Sequence, residues 1–267
     1  MMSLAEIRQF YPANLHSKSA FLLREYLQCK ILELLFESPY ASKFAFLGGT
    51  CLRIVHNNQR FSEDLDFTFL DDSIAREQIF SWFGEIFEYI KDEANIPLEI
   101  TDNNEHQDGG INFYISYTGP LGGMGSNKKV KVDISKSERL EFDPVIKPSF
   151  INYSDIDDYE LLCYSLEEIL VEKMRSVMQR MQARDFYDIW YLLEQEKMEV
   201  EFYIDEFSQK CAAKNLNPAD FLKKLTERLP GYKGRWKGSL AEQIQHLPDF
   251  ERVEREVMRH LRKVDFS

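Results

Sequence analysis

The chain has 267 residues, is 44% hydrophobic and 13% aromatic, and carries a formal net charge of -12. That length and composition supply a buried core for one large domain or two smaller ones. They exclude a disordered chain, and the acidic balance excludes a generic polycationic nucleic-acid coat. No charge-free apolar run is long enough for a membrane helix. The N-terminus, Met1-Met2-Ser3-Leu4-Ala5-Glu6, lacks the basic and apolar segments of a signal peptide. The expected location is therefore cytoplasmic, with no membrane partner.

Leu22, Leu23, Tyr26, Leu27, Ile31 and Leu34 recur at helical spacing and predict a helix from Ser19 to Phe36. Phe44 to Leu47 is a short apolar strand, broken by Gly48-Gly49-Thr50 and followed by a helix from Cys51 to His56. From Phe61 to Leu70 the residues alternate: Phe61, Leu65, Phe67 and Phe69 face one way, Ser62, Asp64, Asp66 and Thr68 the other. Ile74 to Ile90 is an amphipathic helix. Strands are expected near 97–101, 111–118 and 129–135, with a flexible connection from Gly119 to Gly125. After about Asp143 strands are expected to give way to helices. Ser165 and Glu168 form a capping box opening a helix to about Met181. Helices over Arg184–Glu194, Glu201–Ala213, Pro218–Arg228 and Asp249–Lys263 follow. The reading is an α+β fold: a mixed sheet with flanking helices over residues 1–148, then a helical domain over 149–267.

Cys29, Cys51, Cys163 and Cys211 lie far apart in sequence and read as buried thiols, not as a zinc site or disulfide frame. The five histidines are scattered. Any metal is therefore expected to be a hard cation held by carboxylates. Asp64 and Asp66, two apart on a strand, project from one face, where like charges repel and a divalent ion would relieve them. A solvent-exposed strand face explains the same pair. Gly48-Gly49-Thr50 joins a strand to a helix start, where backbone N–H groups favour phosphate; an ordinary turn capped by Thr50 reads the same way. Asp133 alternates with Val132 and Ile134 and is a third candidate carboxylate, or a salt-bridge partner for a nearby lysine. Lys173 falls on the apolar stripe of Leu166, Leu170 and Val177, so it either snorkels or meets an anion. Asp188 flanks the stripe of Phe186, Ile189 and Trp190. It fits a role in orienting such a lysine or accepting a proton, while the plainer reading places Arg184, Asp185 and Asp188 in interhelical salt bridges.

Basic residues gather at Lys128, Lys129 and Lys131, and again from Lys223 to Lys263, including Lys233, Arg235, Trp236, Arg252, Arg255, Arg259 and Arg262. They form either a local RNA-binding surface or a solvated helix face.

The segments Phe46-Leu47-Gly48-Gly49-Thr50-Cys51-Leu52-Arg53, Arg60-Phe61-Ser62-Glu63-Asp64-Leu65-Asp66-Phe67, Lys131-Val132-Asp133-Ile134-Ser135 and Glu172-Lys173 with Arg184-Asp185-Phe186-Tyr187-Asp188 resemble the AbiEii-type nucleotidyltransferase toxins. These belong to the polymerase-beta-like nucleotidyltransferase superfamily of abortive-infection and type IV toxin–antitoxin systems. The resemblance spans about residues 40 to 195. It implies an enzyme of the EC 2.7.7 type that transfers a nucleoside monophosphate from an NTP, with Mg2+ or Mn2+ and release of pyrophosphate, to an acceptor such as tRNA. It also implies a cognate antitoxin encoded nearby. On that pattern Asp64 and Asp66 bind metal, Gly48, Gly49 and Thr50 hold phosphate, Lys173 contacts the triphosphate and Asp188 assists chemistry. The superfamily often has Ser where this chain has Thr50. Asp133 matches the general superfamily pattern, as a third metal ligand. Ser62, beside Asp64, is a candidate control point, because a phosphate there would repel the incoming NTP. Two other readings remain: modification of a small molecule such as an aminoglycoside, suited to an acidic chain, and a catalytically silent nucleotide-binding module.

Overall fold

A computed structural model describes residues 2–71, 73–94, 96, 98–105, 110–117, 129–151 and 153–266. The expected Gly119–Gly125 connection, Lys128, and Pro97 at the start of an expected strand lie outside the described residues. The chain divides into two units, one of Met1–Glu138 with Pro144–Cys163 and one of Arg139–Asp143 with Tyr164–Ser267.

The first unit starts with a short helix, α1 (Leu4–Ile7), opened by a reciprocal capping box between Ser3 and Glu6. Helix α2 (Ser19–Glu37) follows its expected period but is buried beyond the apolar stripe, since Glu25, Gln28 and Glu33 are also covered. The carboxylates there are compensated. Glu25 pairs with Arg53 at 2.7 Å, and Glu33 pairs with Lys30 at 2.8 Å. There follow β1 (Phe44–Leu47), α3 (Gly48–Ile54), β2 (Asp64–Phe69), α4 (Arg76–Ala94), β3 (Leu98–Glu105), β4 (Ile111–Tyr117) and β5 (Lys129–Ser135). Two further strands, β6 (Val145–Pro148) and β7 (Glu160–Cys163), correct the expectation that strands end near Asp143. Each has four residues, too few for alternation to stand out, and β7 is recruited by pairing with β1 and β6. Both strands belong to the first unit, whose last segment ends at Cys163.

The seven strands run in the order β3-β4-β5-β2-β1-β7-β6. Pairing is parallel for β2 with β5 and β1 with β7, and antiparallel elsewhere. In β5, Val130, Val132 and Ile134 are fully buried while Lys131, Asp133 and Ser135 are partly exposed, the period-two pattern of a half-buried strand. Phe44, Phe67, Phe83 and Phe113 join α4 to the sheet through edge-on ring contacts at 5.2–6.1 Å.

The second unit is helical: α5 (Leu166–Gln179), α6 (Ala183–Glu194), α7 (Ile204–Ala213), α8 (Phe221–Leu240) and α9 (Phe250–Leu261). The Ser165 cap forms only in half. Ser165 Oγ accepts from the Glu168 N–H at 3.2 Å, but the Glu168 carboxylate accepts instead from the N–H groups of Glu141 and Phe142, both at 2.9 Å, and pairs with Lys210. Burial explains the change, since Glu168 has no exposure and is worth more as a tie to a distant loop. Helix α8 runs through Pro230, beyond the expected end at Arg228. Leu225, Leu229, Tyr232, Trp236 and Leu240 form one buried stripe, and that packing outweighs the proline. Tyr232 stacks on Phe186 of α6 at 5.3 Å. Among the described residues, no helix is long and apolar enough to cross a membrane.

Candidate active site

Strand β1 turns straight into α3 at Gly48, whose φ of +82° suits glycine. Its Cα faces the Asp66 carboxylate so closely that a Cβ there would overlap Oδ2. Gly49 is as crowded: a Cβ would overlap the Arg60 guanidinium and come within 2.8 Å of Ser62 Oγ. Both glycines are therefore set by close approach of side chains from the segment that leads into and through β2. Thr50 is 1% exposed, and its hydroxyl donates to the Asp64 carbonyl, binding α3 to the start of β2.

The sheet brings the predicted aspartates to one face. Asp66 is the register partner of Leu47 in β1 and of Asp133 in β5, and Asp64 is the register partner of Lys131. All three aspartates are partly exposed. Lys131 Nζ pairs with Asp133 Oδ2 at 2.5 Å. Burial works against the Lys131 charge, but Asp133, Asp64 and Asp66 outweigh it and hold the ammonium above the usual lysine range. The face is thus negative enough to hold a cation, and its oxygen donors suit a hard one such as Mg2+. Strand β2 starts at Asp64, so Ser62 precedes it; Ser62 is 9% exposed and lies against Gly49.

In the second unit, Lys173 of α5 reaches two aspartates of α6, Asp185 Oδ1 at 2.9 Å and Asp188 Oδ2 at 2.8 Å. Both aspartates have no exposure. Asp185 also accepts from Arg180 Nε at 2.7 Å and Nη2 at 3.1 Å. Burial opposes the Asp185 charge, yet Lys173 and Arg180 hold its carboxyl well below the usual carboxylate range. The anion expected for a lysine on an apolar stripe is thus, within this unit, the carboxylate pair of α6.

The sequence reading gave no role to Arg53 and Arg60. Arg53 is locked to Glu25 and lies over the Phe61 ring at 4.6 Å. Arg60 is 1% exposed, and its guanidinium lies against Gly49. Their signal was present in the glycine and Arg-Phe-Ser segments, as charges beside apolar neighbours. The four cysteines are free and buried, as expected, and Cys51 and Cys163 in addition meet beside His56. A hydrogen bond with the Cys51 thiol overcomes burial and, with His56, brings Cys163 down to about 6. Much of the basic C-terminal segment is already engaged. Arg228 and Arg235 donate to carbonyls of residues 177, 180 and 181, Lys233 pairs with Glu251 at 2.7 Å, and Trp236 is 2% exposed.

The profile of the nucleotidyl transferase AbiEii toxin of type IV toxin–antitoxin systems matches residues 30–257. The chain belongs to the AbiEii family. It is accordingly a nucleotidyltransferase toxin of that system type, and the glycine corner with its strand aspartates lies inside the matched AbiEii region. Among solved structures, it resembles MenT4, a nucleotidyltransferase toxin from Mycobacterium tuberculosis, with a TM-score of 0.67 and 17% identity over 99% of this chain and 91% of that one. It also resembles JHP933 from Helicobacter pylori, with a TM-score of 0.57 and 17% identity over 91% of this chain and 90% of that one. Identities this low speak to the AbiEii chain's fold alone. No curated protein sequence matches it.

Proposed function

We propose that this enzyme transfers a nucleoside monophosphate from an NTP to tRNA in the cytoplasm, with release of pyrophosphate, and that a cognate antitoxin restrains it. The observation that carries the reading is the close approach of the Asp66 carboxylate to Gly48, which sets an acidic strand face against a glycine corner. Asp64 and Asp66, with Asp133, would hold Mg2+ or Mn2+. The ion would neutralise charge on the triphosphate and lower the pKa of the attacking hydroxyl.

The chain's own groups divide the remaining work. Gly48 and Gly49 let phosphate oxygens approach the backbone, and the first N–H groups of α3 have no intrahelical acceptor. Thr50 serves there through its N–H, because its hydroxyl is committed to the Asp64 carbonyl. Within the helical unit, Asp188 keeps the Lys173 ammonium oriented through their 2.8 Å pair. The acceptor hydroxyl gives its proton to solvent as its oxygen bonds to the α-phosphorus, the bond from that phosphorus to the α–β bridging oxygen breaks, and pyrophosphate leaves. Ser62 remains a control point by virtue of its contact with Gly49: a phosphate there would push the corner open.

The test is to incubate the protein with each of the four NTPs, labelled at the α-phosphate, and total tRNA. Label should enter tRNA with one preferred NTP, stop on chelation of divalent metal, and be absent with Asp64→Asn. Label passing to an aminoglycoside and never to tRNA would replace the proposed acceptor. Absence of transfer to RNA, protein and small molecules alike would overturn the reading.

A further inference from the structure

Cys51 and Cys163 are distant in sequence but neighbours in the fold. Cys163 ends β7, where it is the register partner of Phe46 in β1. Strand β1 leads directly into α3, which carries Cys51. After α3 the chain turns at Asn57, which has a φ of +56°, and the Asn58 N–H closes on the Leu52 carbonyl at 2.8 Å. This left-handed helix stop leaves His56 just past the end of α3. One ligand atom each of Cys51, His56 and Cys163 lies within 4.8 Å of the other two. Both cysteines have no exposure, while His56 is partly exposed and offers a route from solvent.

Two sulfurs and an imidazole nitrogen are the donors of a borderline-soft ion. In tetrahedral zinc sites Zn–S distances are about 2.3 Å and Zn–N about 2.0 Å, so the ligand atoms lie under about 4 Å apart, close to the spacing of this trio. The carboxylate face of β2 and β5 offers only oxygen and suits a different class of ion. We propose that Cys51, His56 and Cys163 form a second, thiophilic metal site for Zn2+ or an ion of its class, separate from the carboxylate face. On binding, each thiol gives its proton to solvent and its sulfur to the ion, neutral His56 gives a ring nitrogen, and the fourth position is left for water. Because Cys51 follows Thr50, the ion would clip α3, and with it the glycine corner, to β7.

The test uses the reduced full-length protein titrated with Co2+, whose thiolate charge-transfer and tetrahedral d–d bands report directly on this ligand set. One thiolate-bound Co2+ per chain, with both band types and displaced by Zn2+, is expected. Cys163→Ser should abolish the charge-transfer pattern. His56→Gln, at a partly exposed position the fold tolerates more readily, should keep sulfur charge transfer but weaken binding and alter the d–d bands. A Cys29→Ser, Cys211→Ser double variant should keep the full spectrum. Absence of the thiolate band in the reduced wild type, or its persistence unchanged in both Cys163→Ser and His56→Gln, would overturn the site.

Discussion

Asp66 and Asp188 are aspartates within one family match, yet they are held in opposite ways. Asp66 lies partly exposed on a strand face with Asp64 and Asp133, against a glycine and near the half-buried Lys131. Asp188 has no exposure and shares Lys173 with Asp185 inside a helical unit. In the first region the carboxylates are partly exposed, and this is where we propose that a cation binds. In the second, positive and negative groups already compensate each other, and removing one strands the rest. Under the proposed function, the same residue type is reachable by a ligand in one place and held by buried partners in the other.

That contrast can be broken by deletion. Lys173→Ala should destabilise the helical unit by about 3–5 kcal/mol, because two buried carboxylates lose their partner. Chemical denaturation followed by circular dichroism measures it, and a loss under about 1 kcal/mol would put Lys173 with the strand aspartates as a purely functional group. Titration is a milder form of the same perturbation. Asp185 is held below its unfolded pKa of about 3.9. Its contribution is complete above that value and is lost as pH falls towards the folded pKa. Melts between about pH 5 and about pH 3 should show that loss, and Asp185→Asn should flatten the slope over the same window.

The strand region is sharpened by smaller changes. Gly48→Ala places a Cβ on the Asp66 carboxylate at a positive φ, costing about 1–3 kcal/mol. It should lower transfer far more than that cost lowers the folded fraction at assay temperature. Thr50→Val removes one hydroxyl bond to the Asp64 carbonyl and should cost about 1 kcal/mol. Transfer should persist in that variant, since its N–H is intact; abolished transfer with an unchanged melt would give the hydroxyl itself a phosphate role.

The parts legible in the sequence were those with a period. Alternation in β2 and β5 and the helical spacing of α2, α5 and α6 predicted both the elements and the faces on which Asp64, Asp66 and Asp133 stand. The parts that were not legible depend on distant partners. Four-residue strands β6 and β7 have no period to read, and β7 exists through pairing with β1 and β6. Glu168 carries the spacing of a capping box, but a loop and Lys210 claim its carboxylate. Pro230 reads as a stop until Tyr232, Trp236 and Leu240 continue the buried stripe. Cys51 and Cys163 have no motif between them and meet only when β7 lies beside β1.

The most direct measurement pairs transfer with stability in Asp66→Asn. The variant removes one charge from the strand face and keeps the side chain's shape. Transfer of labelled nucleotide should fall by ~10²–10³-fold, the scale of losing one electrostatic contact to a transition state, while the melting temperature stays at or above that of the wild type. Full activity in Asp66→Asn, or a collapse of the fold in step with activity, would contradict the assignment of this face as the open, ligand-seeking half of the comparison.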